Sequence, residues 1–219
     1  MDFYTKCYIP SLGKEIGVNK LQFGDYIQLN SYIQSEDIEN THMLFEKICE
    51  KSLKNIENYT NLDKFVLLIH LHLNYLGNIL KLSAKDEESN KITYEVFLKN
   101  IIKDSKKYKI NGFRLPKKLY YSDVSEILEE TGKSEDDIKK HIEDNKILMF
   151  ECPDNIKGIP KVYFNCFDNT LFHFIKFIYS TDMKSLYKKI KSLKKEYNFL
   201  LSEIYEMSPK EMDLFLSSK

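Results

Sequence analysis

The chain has 219 residues, enough to bury a sizeable core without disulfides or a structural metal. Its 33 basic and 33 acidic residues cancel, so the molecule as a whole has no electrostatic attraction to nucleic acid or anionic lipid, and any such role requires a local patch. Hydrophobic residues make up 42% of the chain, with only 7 glycines and 5 prolines, which is typical of a folded globular protein and not of a disordered or membrane protein.

The amino terminus and the cysteines bear on the cellular compartment. The opening residues MDFYTKCYIP contain neither a basic leader nor an apolar stretch, so no secretory signal is expected and we predict a cytoplasmic protein. No two of the four cysteines form a CxxC pair, which argues against a zinc ribbon or a thioredoxin-type centre. In a cytoplasm, free thiols are therefore expected at Cys7, Cys49, Cys152 and Cys166.

Three elements are predicted at the start of the chain. Residues 2–18 favour two short strands on either side of Pro10–Gly13, whose proline and glycine suit a tight turn. The helical spacing of apolar residues predicts one helix over Phe23–Gln34 and a second over Glu39–Leu53. The buried stripe of the second helix is expected to consist of Met43, Leu44, Ile48 and Cys49.

The most apolar passage of the chain is LLIHLHLNYLG, residues 67–77. Thr60 precedes Asp63 by three residues, a loose variant of a capping box, and predicts a helix that starts near Leu62 and ends at Gly77. A membrane span needs about 20 mainly apolar residues, and this run reaches only about half that length. We therefore predict a helix of the protein core.

His70 and His72 lie two residues apart in this passage. On a helix such residues point roughly 200° apart and cannot chelate one ion together, whereas a strand would place them on one face. Because a helix is predicted, we interpret them as histidines of the core or its rim. A strand-borne metal pair is the alternative.

The middle of the chain combines hairpins with a short helix. ILKLSA and ITYEVF flank the polar DEESNK and predict a second hairpin, followed by a helix from Leu98 to Asp104. Asn111-Gly112 between apolar residues predicts a third hairpin. The surrounding segment, Lys99–Lys118, is basic, with Asp104 as its only acid.

Two helices are predicted on either side of Gly132, the first capped by Ser122 or Asp123 and the second by Ser134. This arrangement has the outline of a helix-turn-helix. The would-be recognition helix begins SEDDIKKHIEDN, however, and presents carboxylates where phosphates and base edges would lie. Sequence-specific DNA binding is therefore not expected.

A strand pair and an aromatic helix are predicted next. KILMFEC is expected to pair with a strand in IKGIPKVYFNCF. Asp168 or Asn169 then caps a helix that runs to Ile178. This helix is predicted to be buried on most sides because it contains Leu171, Phe172, Phe174, Ile175 and Phe177.

The C-terminal third has the clearest periodicity of the chain. Apolar residues recur at alternating steps of three and four, a heptad seam that predicts a long helix, at Met183, Leu186, Ile190, Leu193, Tyr197, Leu200 and Ile204. Ser208, Pro209 and Glu211 then give the full signature of a new helix start. A last short helix is expected to carry Met212, Leu214 and Phe215.

The heptad seam is the best candidate for partner contact, and two interpretations remain open. Either it packs internally against the aromatic helix 171–178, or part of it docks a partner helix or a second copy of the chain. The residues that would bind the partner are Leu186, Ile190, Leu193, Tyr197 and Leu200.

Common catalytic motifs are missing from the sequence, including GxxxxGK(S/T), GxGxxG after a strand, GxSxG and HExxH. The pair Asp136-Asp137 lies at a helix start, where a solvated first turn is far commoner than an acid–base dyad. We therefore predict a non-enzymatic protein and nominate no catalytic, cofactor-binding or metal-binding residue. The alternative function is a nucleic-acid-associated accessory protein that uses the basic segment 99–118 for phosphate contacts.

The order of these features resembles a known family. PSLGKEIGV, LQFGDYIQL, LDKFVLLIHLHLNYLGNILKL, KITYEVFLKNII and LYKKIKSLKKEYNFLLSEIYEMSPKEMDLFL together resemble the baseplate hub assembly proteins, or baseplate hub subunits, of contractile-tailed bacteriophages of the T-even type. The resemblance is clearest over residues 8–103 and 183–216. In that family a lysine- and glutamate-rich helix with embedded aromatics leads to a last helix opened by Ser/Thr-Pro-x-Glu; the matching residues here are Glu196, Tyr197, Phe199, Ser208, Pro209 and Glu211.

The resemblance implies a non-enzymatic role in tail assembly, with other phage baseplate or hub proteins as partners. It implies a location in the host cytoplasm during assembly, and in the virion baseplate if the protein is retained. Some family members carry cysteines around the hairpin after the apolar helix, but this chain has none between Leu76 and Phe97, which argues against a metal knuckle there.

The fold class expected from all these elements is α+β, mainly helical with small antiparallel hairpins and a long C-terminal helix. Residues 1–104 would form an N-terminal part with two hairpins and helices. Residues 105–219 would form a C-terminal helical part packed on the first as one unit.

Overall fold

The computed structural model describes residues 5–85, 88–110, 114–117, 123–151, 161–167 and 171–218. In the first half the elements are β1 (Thr5–Ile9), β2 (Lys14–Val18), α1 (Phe23–Gln34), α2 (Ile38–Ser52), α3 (Asn61–Tyr75), β3 (Ile79–Lys85), β4 (Lys91–Phe97) and α4 (Leu98–Ser105). In the second half they are α5 (Asp123–Thr131), α6 (Glu135–Asp144), β5 (Ile147–Glu151), β6 (Lys161–Phe164), α7 (Leu171–Tyr179), α8 (Met183–Tyr197), α9 (Leu201–Glu206) and α10 (Pro209–Ser217). Over the described ranges the strands form three separate two-stranded antiparallel sheets, and the mainly helical α+β class is confirmed.

The N-terminal elements form where the sequence predicts them. β1 and β2 pair antiparallel around a 3-10 turn that ends at Gly13, whose φ of 60° is a conformation that favours glycine. α1 has the predicted bounds. In α2 the predicted stripe is wrong at Met43, which is 64% exposed, because the buried face of the helix is centred on Phe45 and Ile48.

The apolar passage forms the central helix of the core, α3. Its N-terminus carries a complete capping box: the backbone N–H of Thr60 donates to Oδ2 of Asp63 over 2.8 Å, and the hydroxyl of Thr60 accepts the N–H of Asp63. Asp63 also accepts the N–H of Ser11 over 2.9 Å, which joins the helix start to the β1–β2 turn. The helix ends at Tyr75, two residues before the predicted Gly77.

His70 and His72 are buried side chains of this helix, as interpreted. Nε2 of His70 lies 3.0 Å from Oγ1 of Thr5 in β1. Nδ1 of His72 donates to the carbonyl of Gly77 over 3.0 Å, and its ring packs edge-on against Tyr179 in α7. The two histidines therefore contact different elements, as their spacing on a helix requires.

The second hairpin, β3–β4, and the short helix α4 are confirmed. At the predicted third hairpin, Asn111-Gly112 lies outside the described residues, and the flanking residues 108–110 and 114–117 are not strands. Their backbone groups bond elsewhere: the N–H of Lys109 donates to Asn145, and the carbonyl of Pro116 accepts the N–H of Asn61. These bonds take the place of a strand ladder.

The helix–Gly132–helix–strand order is confirmed, with Gly132 at a φ of 62° and a complete capping box between Ser134 and Asp137. β5 pairs with β6 as predicted. The proposed caps Ser122, Asp168 and Asn169, the thiol of Cys152 and the end of the basic segment at Lys118 lie outside the described residues. The other three cysteines are free and buried, at Cys7, Cys49 and Cys166.

The aromatic helix α7 extends to Tyr179. It buries Phe174, Ile175, Ile178 and Tyr179. Its His173 is exposed and its Phe177 only half-buried, so the helix presents one face to the core and the other to solvent.

The heptad seam does not continue in one helix. α8 ends at Tyr197, and Asn198 takes a left-handed conformation with φ 55°. The N–H of Leu200 then donates to Oε2 of Glu203 over 2.6 Å and starts α9. Ile204 is buried on both sides of the comparison: an unbroken helix would bury it, and so does the observed turn followed by α9. Heptad spacing alone therefore does not reveal that the helix is interrupted.

A single cluster of buried side chains includes residues from both 1–104 and 105–219. Phe65 of α3 stacks on Phe164 of β6 with ring centroids 3.9 Å apart, and meets Phe174 of α7 at 5.9 Å. The hydroxyl of Tyr179 donates to the carbonyl of Leu68 over 2.9 Å. The two halves therefore share one core.

Candidate functional site

The candidate site is a surface at the C-terminus, built by the end of α8, the turn at Asn198, α9 and α10. Three rings contact one another there: the centroids of Tyr197 and Phe199 lie 5.9 Å apart, those of Tyr197 and Phe215 5.6 Å, and those of Phe199 and Phe215 5.1 Å. The hydroxyl of Tyr197 donates to the carbonyl of Phe215 over 2.5 Å. We call these three residues the aromatic cluster; it fixes the turn after α8 to the last helix.

Large apolar side chains around the aromatic cluster remain in solvent. Leu200 is 65% exposed and Leu214 55%. The other members of this C-terminal surface are less exposed but still accessible, namely Leu201, Tyr205 and Phe215. Grouped apolar and aromatic side chains of this kind mark protein–protein contact sites more often than ordinary surface.

The C-terminal surface is held in place by contacts of α9 and α10 with the rest of the chain. Ile204 and Met212 are fully buried and anchor the two helices. At Gly24 of α1 an added Cβ would lie only 3.1 Å from Cβ of Tyr205, so α9 lies directly against the backbone of α1. The surface therefore rests on packed helices, and contact with a partner would not require it to become ordered first.

α10 is also anchored by charge. Ser208 and Glu211 form the predicted capping box, and Nζ of Lys20 lies 3.1 Å from Oε2 of Glu211. Partial burial raises the pKa of Glu211, but hydrogen bonds from Ser208 and the ion pair with Lys20 outweigh it and hold that pKa below its ordinary value. Glu211 is therefore charged at neutral pH and complements the N-terminus of α10.

The five predicted partner-binding residues do not share one surface. Leu186, Ile190 and Leu193 are buried inside the chain, Tyr197 is half-buried, and Leu200 alone is strongly exposed. Among the described residues, α8 packs mainly against α1, α9 and α10. Internal packing thus accounts for the burial of Leu186, Ile190 and Leu193. The main neighbours of α8 are α1, α9 and α10, whereas the sequence predicted the aromatic helix α7.

No sequence pattern marked Leu201, Tyr205 or Leu214 as surface residues. Helical periodicity shows which apolar residues share a face, but not whether that face packs against another element of the chain. The spacing of Met212 and Leu214 does indicate that one of them is a surface residue, because residues two apart on a helix cannot both face the core.

A second cluster of reactive side chains lies inside the protein. The hydroxyl of Tyr108 is 3.0 Å from Nε2 of His141 and 3.2 Å from Sγ of Cys166. Asn145 adds its amide at 3.4 Å from Nδ1 of His141, and its Oδ1 accepts the N–H of Lys109. The network joins the segment after α4 to α6 and to the segment after β6.

The protonation of this network is set by burial. Burial raises the pKa of Cys166 to about 12 and raises that of Tyr108, whereas it lowers the pKa of His141. The thiol and phenol therefore keep their protons at neutral pH and the imidazole stays neutral. At neutral pH the network is therefore a set of hydrogen bonds between uncharged side chains, and the thiol is not in its nucleophilic thiolate form.

Two of the cavities in the described part of the molecule have a volume of about 310 Å³ each. One lies beside Tyr108 and Asn145, but neither Cys166 nor His141 lines it. The other is lined in part by His72, Lys189 and Asp213. Nδ1 of His72 donates to the carbonyl of Gly77, and Nζ of Lys189 lies 2.6 Å from Asp213, so these polar groups already have partners in the protein.

The basic segment 99–118 is partly neutralised where the structure describes it. Nζ of Lys107 lies 2.7 Å from Oδ1 of Asp104, and Nη1 of Arg114 lies 2.9 Å from Oε2 of Glu130. Lys106 lies over the ring of Tyr8, 5.2 Å from its centroid. These contacts reduce the positive charge available to a phosphate backbone.

Within the described ranges, no three His, Cys, Asp or Glu side chains are grouped so that they could hold a metal ion. No helix in the part of the chain described is both long and apolar enough to cross a membrane. Comparison of the chain with protein-family models, curated protein sequences and solved structures found no match.

Proposed function

We propose that this chain is a non-enzymatic protein of a contractile phage tail, which acts in assembly of the baseplate hub through protein–protein contacts. It would work in the host cytoplasm, either as an assembly factor or as a subunit retained in the virion baseplate. The support from sequence is the ordered resemblance over residues 8–103 and 183–216. Among the elements that carry it, the first two hairpins, the apolar helix and the Ser208 cap form at those positions, whereas the predicted long C-terminal helix is interrupted at Asn198.

The observation that carries the proposal is the composition of the C-terminal surface. Tyr197 and Phe199, two of the positions that match the family pattern, belong to the aromatic cluster, and Ser208 and Glu211 cap the helix that completes it. Leu200 and Leu214 add exposed aliphatic area beside these rings. Aromatic anchors supported by aliphatic neighbours are the residues that supply most binding energy in protein interfaces.

We predict that Leu200→Glu/Leu214→Glu folds normally but no longer co-purifies with tail proteins from infected cells. Both side chains are mostly in solvent, so the substitutions should change the free energy of unfolding only slightly. A charge in the centre of an apolar interface, however, costs at least about 2 kcal/mol of binding free energy, or roughly thirtyfold in affinity. The measurement is affinity purification of the tagged full-length chain, with quantitative mass spectrometry of the captured proteins.

Met43→Glu is the matched control. Met43 is 64% exposed, against 65% for Leu200, and lies on α2, which is not one of the elements that build the C-terminal surface. It should capture the same tail proteins as the unaltered chain. Equal capture by the double variant and the control would overturn the assignment of the surface, and absence of tail proteins from every sample would overturn the proposed function.

A further inference from the structure

Although the net charge of the chain is zero, two of its regions carry opposite net charges. α8 (Met183–Tyr197) contains six lysines and one glutamate, a net charge of +5. Residues 123–137, which cover α5 and the first turn of α6, contain seven acids and one lysine, a net charge of −6. Such separation creates local fields even though the molecule as a whole has none.

The positive charge of α8 forms a line on its solvent side. Lys184, Lys188, Lys191 and Lys195 are exposed and follow one another at steps of four, three and four, which places them on one stripe. At 1.5 Å per residue the stripe is about 16 Å long. Leu186, Ile190 and Leu193 on the opposite face are buried and fix its direction.

None of these four lysines makes an ion pair with another described residue. Lys189, at the side of the helix, is the α8 lysine that does so, with Asp213 at 2.6 Å. We call the four residues the lysine stripe. Exposed like charges at helical spacing repel one another, so the lysine stripe favours an acidic counterpart.

The negative region is equally exposed. On α5, Ile127 is fully buried and directs Glu126, Glu129 and Glu130 to the outside. The first turn of α6 adds Glu135, Asp136 and Asp137, all in solvent. We call these six residues the acidic surface. Glu130 pairs with Arg114 and Asp136 with Lys139, and the acids of residues 123–137 outnumber the lysine by six.

The lysine stripe and the acidic surface form no ion pair with each other among the described residues. α8 packs mainly on α1, α9 and α10, and Glu130 and Asp136 of the acidic surface pair with Arg114 and Lys139. Each copy of the chain therefore presents a basic and an acidic surface at different places. A second copy is a partner that complements both.

We propose that the lysine stripe of one copy docks on the acidic surface of a second copy, so that the protein self-associates head to tail. Such a contact is heterologous: every copy uses its lysine stripe on one neighbour and its acidic surface on another, which leads to a ring or an open chain. The contact is electrostatic, so it strengthens in low salt and weakens as salt screens the charges.

The inference goes beyond the proposed function and does not depend on it, because the C-terminal surface uses Leu200 and Leu214 and not the charges of α8 or α5. The Leu200→Glu/Leu214→Glu variant should therefore self-associate like the unaltered chain. Failure of either proposal leaves the other standing.

The test is a charge exchange, read by sedimentation velocity of the full chain at low and high salt. One variant reverses the lysine stripe, Lys188→Glu/Lys191→Glu/Lys195→Glu. The other reverses the acidic surface, Glu126→Lys/Glu129→Lys/Glu130→Lys. All six side chains are exposed, so circular dichroism melts should show both variants folded.

We expect the unaltered chain to associate at low salt, and each variant alone to associate at least about tenfold more weakly. An equimolar mixture of the two variants should associate again, because each supplies the surface that the other lacks.

Three outcomes would overturn the inference: an unaltered chain that stays monomeric at every salt concentration, variants that associate like the unaltered chain, or a mixture that remains dissociated. Retention of the unaltered chain on a DNA column, lost only in the lysine variant and without any self-association, would likewise overturn it and identify a polyanion as the partner.

Discussion

Replacing Leu193 by glutamate is expected to unfold the protein, whereas the same replacement at Leu200 should leave it folded. Leu193 is fully buried on the inner face of α8, and Leu200 is 65% exposed in the turn after that helix. Moving a carboxylate into an unpartnered apolar site costs more than about 4 kcal/mol. That cost is comparable with the lower end of the net stability of about 5–15 kcal/mol that a folded domain has.

The comparison is made by circular dichroism and thermal melting of both single variants beside the unaltered chain. Leu200→Glu should lower Tm only slightly, and Leu193→Glu should show no cooperative transition. A folded Leu193→Glu protein with a normal melt would mean that the inner face of α8 is not part of the core, and that the seam is free to bind a partner.

The second large effect is expected at Phe65, at the centre of the molecule. Phe65→Ala should lower the free energy of unfolding by about 3–5 kcal/mol, because a large aromatic side chain is lost and the cavity cannot fully collapse. We expect a destabilisation near the upper end of this range, because the ring of Phe65 also stacks on Phe164 and contacts Phe174 edge-on.

Urea denaturation of Phe65→Ala and of Phe97→Ala measures this effect against a control. Phe97 ends β4 and is 45% exposed, so its truncation should cost less than about 1.5 kcal/mol. Since Phe164 and Phe174 come from the second half of the chain, both proteins should still unfold in one transition. Equal destabilisation by the two substitutions, or two separate transitions in the unaltered chain, would contradict the shared core.

Features determined by neighbouring residues were predictable from the sequence, often to the residue. Capping boxes at Thr60, Ser134 and Ser208 depend on side chains three positions apart and on nothing else. The two confirmed hairpins and α1 likewise follow from local turn residues and periodicity.

Features that depend on distant contacts were not predictable. The bonds of Lys109 to Asn145 and of Pro116 to Asn61 replace the third hairpin, and no local pattern contains them. The left-handed turn at Asn198 interrupts a perfect heptad spacing. In both places tertiary contacts override a correct local preference.

The same limit applies to the candidate site. The sequence identified Tyr197 and Leu200 but could not separate them from Leu186, Ile190 and Leu193, which the fold buries. The sequence shows the lysines of α8 as positive charge, but which of them form ion pairs depends on the fold, as the pairing of Lys189 with Asp213 shows. Similarly, the contact of Tyr108 with His141 and Cys166 joins residues far apart in sequence, which no motif predicts.

The most direct test of the central claim, that the C-terminal surface binds a tail baseplate protein, is photo-crosslinking in infected cells. The full-length chain would carry p-benzoylphenylalanine in place of Leu200, with the same residue in place of the equally exposed Met43 as control. Mass spectrometry should identify a baseplate or hub protein crosslinked at position 200 and not at position 43. Crosslinks at position 200 to no protein, or to the same proteins as at position 43, would contradict the account.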